Sequence, residues 1–423
     1  MATEDARYRE SSQFRQWSFS PVQLASMRDK ANTLARTSIA ERLSTSPPNN
    51  ASTNSMSAPT SNANTPDPDG GTPSLPEFLT PAEEALLVTF YTSELLRAGD
   101  HAEMGDEIKA TAAAFFRRFY VTNSIMTYPP QQMLIVALFF GCKAEGAFPR
   151  ITDFAQTFGK EDPQDILAGE FLLCQGIRFC FDVKHPFRAL RGAVMELRKL
   201  GDIDTSRIDS AERRARDILR FSPLVTDAYF HYTPSQIMYA TLSHADRGLV
   251  ERLIQETFHY VAPPTNSGPD TPTASGDAST PATSRRDTNK GDDNNKAAII
   301  GSYIRDRVLG TIEACRDMLA KEMPERREHW SNKTVIKAQI TPLRKKLNKC
   351  HDPDRWDLVK LQKVRREQAL KKGDSEDGSP GDRVASSEAD ASLFGGDVAT
   401  AQRDAKRRKV GAKGLDDPFG GAL

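Results

Sequence analysis

Apolar positions recur with a helical period through most of residues 82–321, while the period-two alternation of a half-buried strand is scarce. Residues 82–96 put Leu87, Phe90, Tyr91 and Leu95 on one face. Residues 106–121 do the same with Ile108, Ala112, Phe115, Phe116 and Phe119. Residues 131–144 are apolar nearly all round, the pattern of a central bundle helix, and Pro129-Pro130 suits its start. A short helix is predicted at 150–158. A fifth follows at 164–179, with Ile166, Leu167, Phe171, Cys174 and Ile177 on its apolar face. The series then restarts at 187–199, 209–226, 235–246, 249–260 and 298–321. Further helices are predicted at 21–43, 333–349 and 354–371.

The restart is an internal repeat at an offset of 104 residues. Without a gap, Val121, Thr122, Tyr128, Pro130 and Gln132 are identical to Val225, Thr226, Tyr232, Pro234 and Gln236. Each copy reads as a helix, a short polar turn and a strongly apolar helix. The expected fold is therefore all-α: two tandem five-helix repeats with extra N- and C-terminal helices.

Composition sharpens the boundaries. Apolar residues make up 38% of the chain, below the roughly 45–50% of an average domain. The deficit concentrates in 44–76, 262–296 and 373–423, rich in Pro, Ser, Thr, Gly, Asp and Asn. Such segments bury too little apolar surface to offset the entropy of ordering, so they are expected to be disordered. The predicted organisation is an N-terminal segment and helix (1–43), a linker (44–79), a first repeat (80–183), a second repeat (184–322, with the insert 262–296), basic C-terminal helices (323–372) and a disordered tail (373–423).

The formal net charge is zero, so no whole-molecule field draws the chain to nucleic acid or an anionic membrane. Locally, 323–372 holds 15 basic and 6 acidic residues, a net +9. The five cysteines form no C-x-x-C, which argues against a zinc ribbon and against a disulfide scaffold. The longest apolar run, 133–142, is half of the ~20 residues a membrane span needs. The first residues carry no apolar signal core, so secretion is not expected.

Polar residues that interrupt apolar stripes are the candidate functional positions. Lys143 continues the line of Val136 and Phe140, and Glu170 lies between Ile166 and Leu173. A lone buried charge is costly, so each must be paired or lie at a rim. Either Lys143 snorkels and Glu170 caps or pairs internally, or the two meet and offer a donor and an acceptor to a partner, with Phe179 and Phe181 as apolar anchors. No phosphate loop, kinase motif, nucleophile–base pair or metal spacing is found, so an interaction protein is expected rather than an enzyme, with no cofactor.

The segments Phe115-Phe116-Arg117-Arg118-Phe119-Tyr120, Gly141-Cys142-Lys143-Ala144-Glu145 and Glu170 to Phe179, set in tandem five-helix repeats, resemble a cyclin box. The run Ser11 to Ser20, with Leu224-Val225-Thr226-Asp227-Ala228-Tyr229, resembles the cyclin H branch of that family. The resemblance covers 8–43 and 78–322, apart from the insert. It implies a regulatory cyclin that activates a cyclin-dependent kinase (CDK). The implied assembly is the CDK-activating kinase, with a RING-finger assembly subunit, within transcription factor IIH. The implied substrates are CDK activation loops and the C-terminal repeats of RNA polymerase II. Alternatives are another transcription cyclin (C/K/T-like) and a cyclin-fold general initiation factor. Carried over by position, Lys143 and Glu170 match the cyclin lysine and glutamate that bond the kinase, and Ala144, Cys174, Phe179 and Phe181 fall at apolar contacts. Ala144 and Cys174 are smaller than usual there, which implies repacking. The first box helix reads Glu83-Glu84-Ala85-Leu86-Leu87, which departs from the motif that builds the substrate-docking groove of cell-cycle cyclins.

The run Lys406-Arg407-Arg408-Lys409 resembles a nuclear import signal, which implies a nuclear location. Ser46, Thr65, Thr72, Thr271, Thr280 and Ser379 precede proline and suit proline-directed kinases. No sequence-specific nucleic-acid binding is expected.

Overall fold

The computed structural model describes residues 4–45, 75–258 and 289–375, and among these residues it contains helices and no strand. Three helices open the chain: α1 (Glu4–Glu10), α2 (Ser12–Trp17) and α3 (Pro21–Thr45). The first repeat is α4 (Pro81–His101), α5 (Asp106–Thr122), α6 (Pro130–Ala144), α7 (Ile151–Thr157) and α8 (Gln164–Gly176). The second begins with α9 (Phe187–Leu200) and α10 (Thr205–Leu219). After the short turns α11 (Ser222–Val225) and α12 (Ala228–His231) come α13 (Pro234–Ala245), α14 (Arg247–Phe258) and α15 (Asn289–Ala320). The chain continues through α16 (Arg326–Ser331), α17 (Lys333–Val335), a π-helical turn (Ile336–Ile340), α18 (Thr341–Cys350) and α19 (Leu358–Ser375).

Local chemistry explains several starts. Thr80 caps α4 and Glu83 reaches back to the Thr80 N–H (2.8 Å), a reciprocal box followed by Pro81. Thr233 and Gln236 repeat this at α13. In both repeats the central helix packs against the long helix that precedes it, α6 on α5 and α13 on α10. A Cβ on Gly141 would lie 3.0 Å from the Ala112 Cβ and 3.1 Å from the Ile108 carbonyl oxygen, so its absence lets α5 and α6 approach closely.

Four expectations change. The predicted helix 209–226 is broken after Leu219, where Pro223 opens the separate turn α11. α15 starts at Asn289, inside the predicted insert, because the helix carries its pitch back through a polar run that composition reads as loop. The last long helix starts at Leu358 rather than 354, after an Asp352–Trp356 turn closed by the Trp356 N–H donating to the Asp352 carbonyl (3.1 Å). α1 and α2 were not predicted. The remaining parts of the inserts and tail, with the Ser/Thr-Pro positions and 406–409, lie outside the described residues.

The N-terminal segment clasps both repeats. Trp17 is fully buried, and the guanidinium groups of Arg118 and Arg178 sit 5.4 and 5.1 Å from its ring. The Phe19 N–H donates to the Phe230 carbonyl (2.8 Å). Asp227, at the second-repeat junction, accepts from Arg28 of α3 (2.6 and 2.9 Å) and from Arg117 of α5 (2.6 Å), which also bonds the Val225 carbonyl (2.8 Å). These hydrogen bonds, with the charges of Arg117 and Arg28, hold the Asp227 carboxyl well below its usual range despite its burial. α3 is tied again where Asn32 donates to the Leu79 carbonyl (2.9 Å) and Arg42 pairs with the buried Asp352. Among the described residues no helix is long and apolar enough to cross a membrane, and no His/Cys/Asp/Glu group could hold a metal.

Candidate functional site

α6 and α8 pack side by side, and their facing turns bring Lys143 and Glu170 into an ion pair. Glu170 Oε1 is buried against the ammonium without the angle of a hydrogen bond. Lys143 lies 4.7 Å from the Phe139 ring centroid and 5.5 Å from that of Phe140, so two aromatic faces hold the cation. The pair is half-buried: 31% of the Lys143 side chain and 19% of the Glu170 side chain remain exposed. Glu170 therefore has an internal partner in Lys143, and the two meet at a rim.

Around the pair runs a chain of rings. Phe140 and Phe181 centroids are 5.3 Å apart, Phe181 and Phe179 6.2 Å, and Phe179 and Phe171 6.4 Å. Phe171, Phe179 and Phe181 are 60, 55 and 41% exposed, an apolar surface left open to solvent. Ala144 is exposed beside Lys143, and Cys174 is half-buried one turn after Glu170. Burial pushes the Cys174 thiol up to about 11 and the Glu170 carboxylate adds to the rise, so the sulfur stays protonated and acts as a small apolar group.

The turn after α8 makes this display. The predicted helix 164–179 ends at Gly176, because Arg178 and Phe179 both adopt the left-handed conformation (φ 57° and 56°). Neither is glycine, and each costs about 1–2 kcal/mol there. The turn is held by the Phe179 N–H donating to the Cys174 carbonyl and the Arg178 N–H to the Gln175 carbonyl, both 2.9 Å. Arg118 donates to the Cys180 carbonyl (3.2 Å) and Arg178 stacks on Trp17, so the N-terminal clasp braces the same turn. Gly176 is needed for a different reason: a Cβ there would lie 2.3 Å from Phe119. Reversing the chain sends Phe179 and Phe181 outward, while Cys180 between them is buried.

Phe171 corrects an expectation. The helical period sets it on the apolar face of the fifth helix, whereas it is exposed to solvent at the edge of the ring chain. Phe140 and Phe139 were missed as supports of Lys143. The signal was their spacing, since residues three and four positions before Lys143 share its helix face.

Residues 185–320 match the family model of the cyclin C-terminal domain. A solved chain in the structure of the CAK complex from Chaetomium thermophilum bound to ATP-γ-S is 61% identical, with a TM-score of 0.71. The alignment covers 90% of the present chain and all of that one. The chain belongs to the cyclin H family. Cyclin CCL1 of Saccharomyces cerevisiae is 30% identical over 259 residues, 60% of this cyclin and 62% of that protein. Cyclin-H of Xenopus laevis is 28% identical over 181 residues, 40% of this cyclin and 54% of that protein. The match with these two thus spans less than two thirds of either relative.

Proposed function

We propose that this cyclin is the regulatory, non-catalytic subunit of a CDK-activating kinase. It binds and activates a cyclin-dependent kinase, together with a RING-finger assembly subunit, in the nuclear kinase module of transcription factor IIH. Its substrates through that kinase are CDK activation loops and the C-terminal repeats of RNA polymerase II. The observation that carries the reading is the half-buried Lys143–Glu170 pair at the centre of the exposed rings of Phe171, Phe179 and Phe181. The 61% identity to a chain from a CAK complex supports the choice among cyclins.

The geometry suits a helix-binding surface. A kinase of this type, when alone, holds its regulatory helix out of place and its Lys–Glu pair broken. The rings supply apolar area, while the Lys143–Glu170 pair supplies a donor and an acceptor for backbone or side chains of that helix. Because the turn is already set in the free chain, little ordering is needed on binding. A partner that binds the active arrangement more tightly shifts the kinase population toward it.

The test is co-expression with the kinase subunit, pull-down and assay on a C-terminal repeat peptide. Glu170→Lys sets two cations side by side at the surface and abolishes capture and activity; an active, captured variant overturns the assignment. Nuclear import is tested by fusing 400–423 to a fluorescent reporter. Loss of nuclear signal on replacing Lys406, Arg407, Arg408 and Lys409 by alanine supports the import reading, and a cytoplasmic wild-type reporter rejects it.

A further inference from the structure

From Ser331 to His351 the chain has six basic residues and no acidic one. This run forms α17, the π turn and α18. Ile340, Leu347 and Cys350 are buried, and Ile336 and Leu343 pack partly against the core, so one side of the run is fixed inward. Lys346 lies at the flank, paired with Glu77 (2.7 Å) and Glu83 (2.9 Å). Arg344 lies near Tyr91. Lys333, Lys337, Lys345 and Lys349 are exposed and form no ion pair with a described carboxylate.

The π turn matters here. The four lysines are spaced 4, 8 and 4 apart, and in an unbroken α-helix such a series drifts steadily round the axis, because 3.6 residues make a turn. A π turn takes more residues per turn and so winds part of that drift back. The result is a row of four exposed cations along the run, with less rotation about its axis than an unbroken helix would give. Several exposed bases of the second repeat are matched instead: Arg198 with Asp209 (2.7 Å), Arg207 with Asp246 (2.6 Å), Arg252 with Asp202 (3.2 Å).

We propose that this lysine line is a contact for the phosphate backbone of duplex DNA, without sequence preference. Charge complementarity points to a polyanion. A protein partner would be expected to use an apolar or aromatic anchor as well, and none of the exposed large apolar side chains among the described residues lies between 331 and 351. Lysines act as point charges rather than bidentate readers, which suits phosphates and not base edges. The line is about 25 Å long at 1.5 Å per residue, about seven base pairs of duplex.

The test is fluorescence anisotropy of the full chain with two 20-base-pair duplexes of unrelated sequence, between 50 and 200 mM salt. Both duplexes bind equally. Lys→Ala at 333, 337, 345 and 349 together lowers the log–log salt slope by about 3.6, four contacts at 0.9 each, so the wild type loses roughly 150-fold more affinity over that range. Lys→Arg at the same positions keeps the slope. Unchanged helical circular dichroism and kinase activation show that the fold is intact. An alanine variant with the wild-type slope overturns the proposal. So does tighter binding of polyglutamate than of duplex at equal charge, which assigns the face to an acidic polypeptide instead.

Discussion

In the first repeat, Lys143 near the end of the central helix meets Glu170, with rings beneath and beside it. In the second repeat the position 104 residues on is Arg247, which meets Glu313 of α15 at 3.1 Å. Those side chains are 57 and 53% exposed, and the one exposed large apolar side chain in that repeat among the described residues is Met195. Both copies thus hold a cation paired with a glutamate of a neighbouring helix, but only the first surrounds it with aromatic surface. An ion pair alone would not make the proposed docking site; the reversal at Arg178 and Phe179 supplies what the second copy lacks, by turning two rings outward.

That contrast can be broken most directly by charge reversal in both copies. Glu170→Lys should cost kinase binding about 2–5 kcal/mol, because one partner of a pair that becomes buried on docking is lost. Glu313→Lys should change it by less than about 0.5 kcal/mol, as for an exposed pair. Isothermal titration of both variants decides, and equal losses would erase the distinction between the repeats.

A second difference lies in buried acids. Glu84 of α4 is bonded to the Ser124 hydroxyl, and burial raises its carboxyl to about 7; its counterpart 104 residues on is the exposed Arg188. A carboxyl raised in the folded state holds its proton there while the unfolded chain releases it. Stability from Glu84 is therefore full below about pH 4.5 and is lost as pH rises through about 7, by at most ~3 kcal/mol. His185 works oppositely. Bonded to Thr111 (2.7 Å) and Tyr229 (2.9 Å), it is lowered to about 3 by burial and then by the Arg118 charge, so its contribution is lost as pH falls below about 6.5. The opposing slopes overlap, so the useful quantity is the difference between Glu84→Gln and wild type. Denaturant titrations should show the variant gaining relative stability from pH 5 to pH 8; a constant difference would refute the assignment.

Phe179→Gly should separate display from stability. Relieving the left-handed strain should raise thermal stability by about 1 kcal/mol, while loss of the ring weakens kinase binding by about 1–3 kcal/mol. Met195→Ala should leave binding unchanged. The smallest effect compares identical residues in the repeat. Gln236 caps α13, so Gln236→Leu should cost about 1 kcal/mol. Gln132 has a buried Oε1 with no partner, so Gln132→Leu should be neutral or stabilising. Losses of the same size at both positions would mean that the two glutamines do the same work.

The sequence made the repeats legible because Phe115, Phe116 and Phe119, or Val136 and Phe140, mark helix faces by spacing alone. Lys143 and Glu170 stood out because charge interrupts those faces. The end of α8 was not legible: left-handed turns are usually flagged by glycine, and here Arg178 and Phe179 adopt one under tertiary bracing from Trp17 and Arg118. The same omission sent Phe171 to the core in the prediction, since a core helix and a half-open one share a pattern. α1 and α2 escaped because they are short and gain their stability from docking, with Trp17 and Gln13 buried against the repeats.

The ties that hold α3 at Asp227, Leu79 and Asp352 have a consequence in polymer terms. The described residues on either side of positions 46–74 are pinned by ties of their own, so a change in the length between them leaves both anchors in place. Doubling it would add only about 0.6 kcal/mol of closure entropy. Insertions there can accumulate almost freely, and neither the clasp nor the ring-lined surface that it braces would register them.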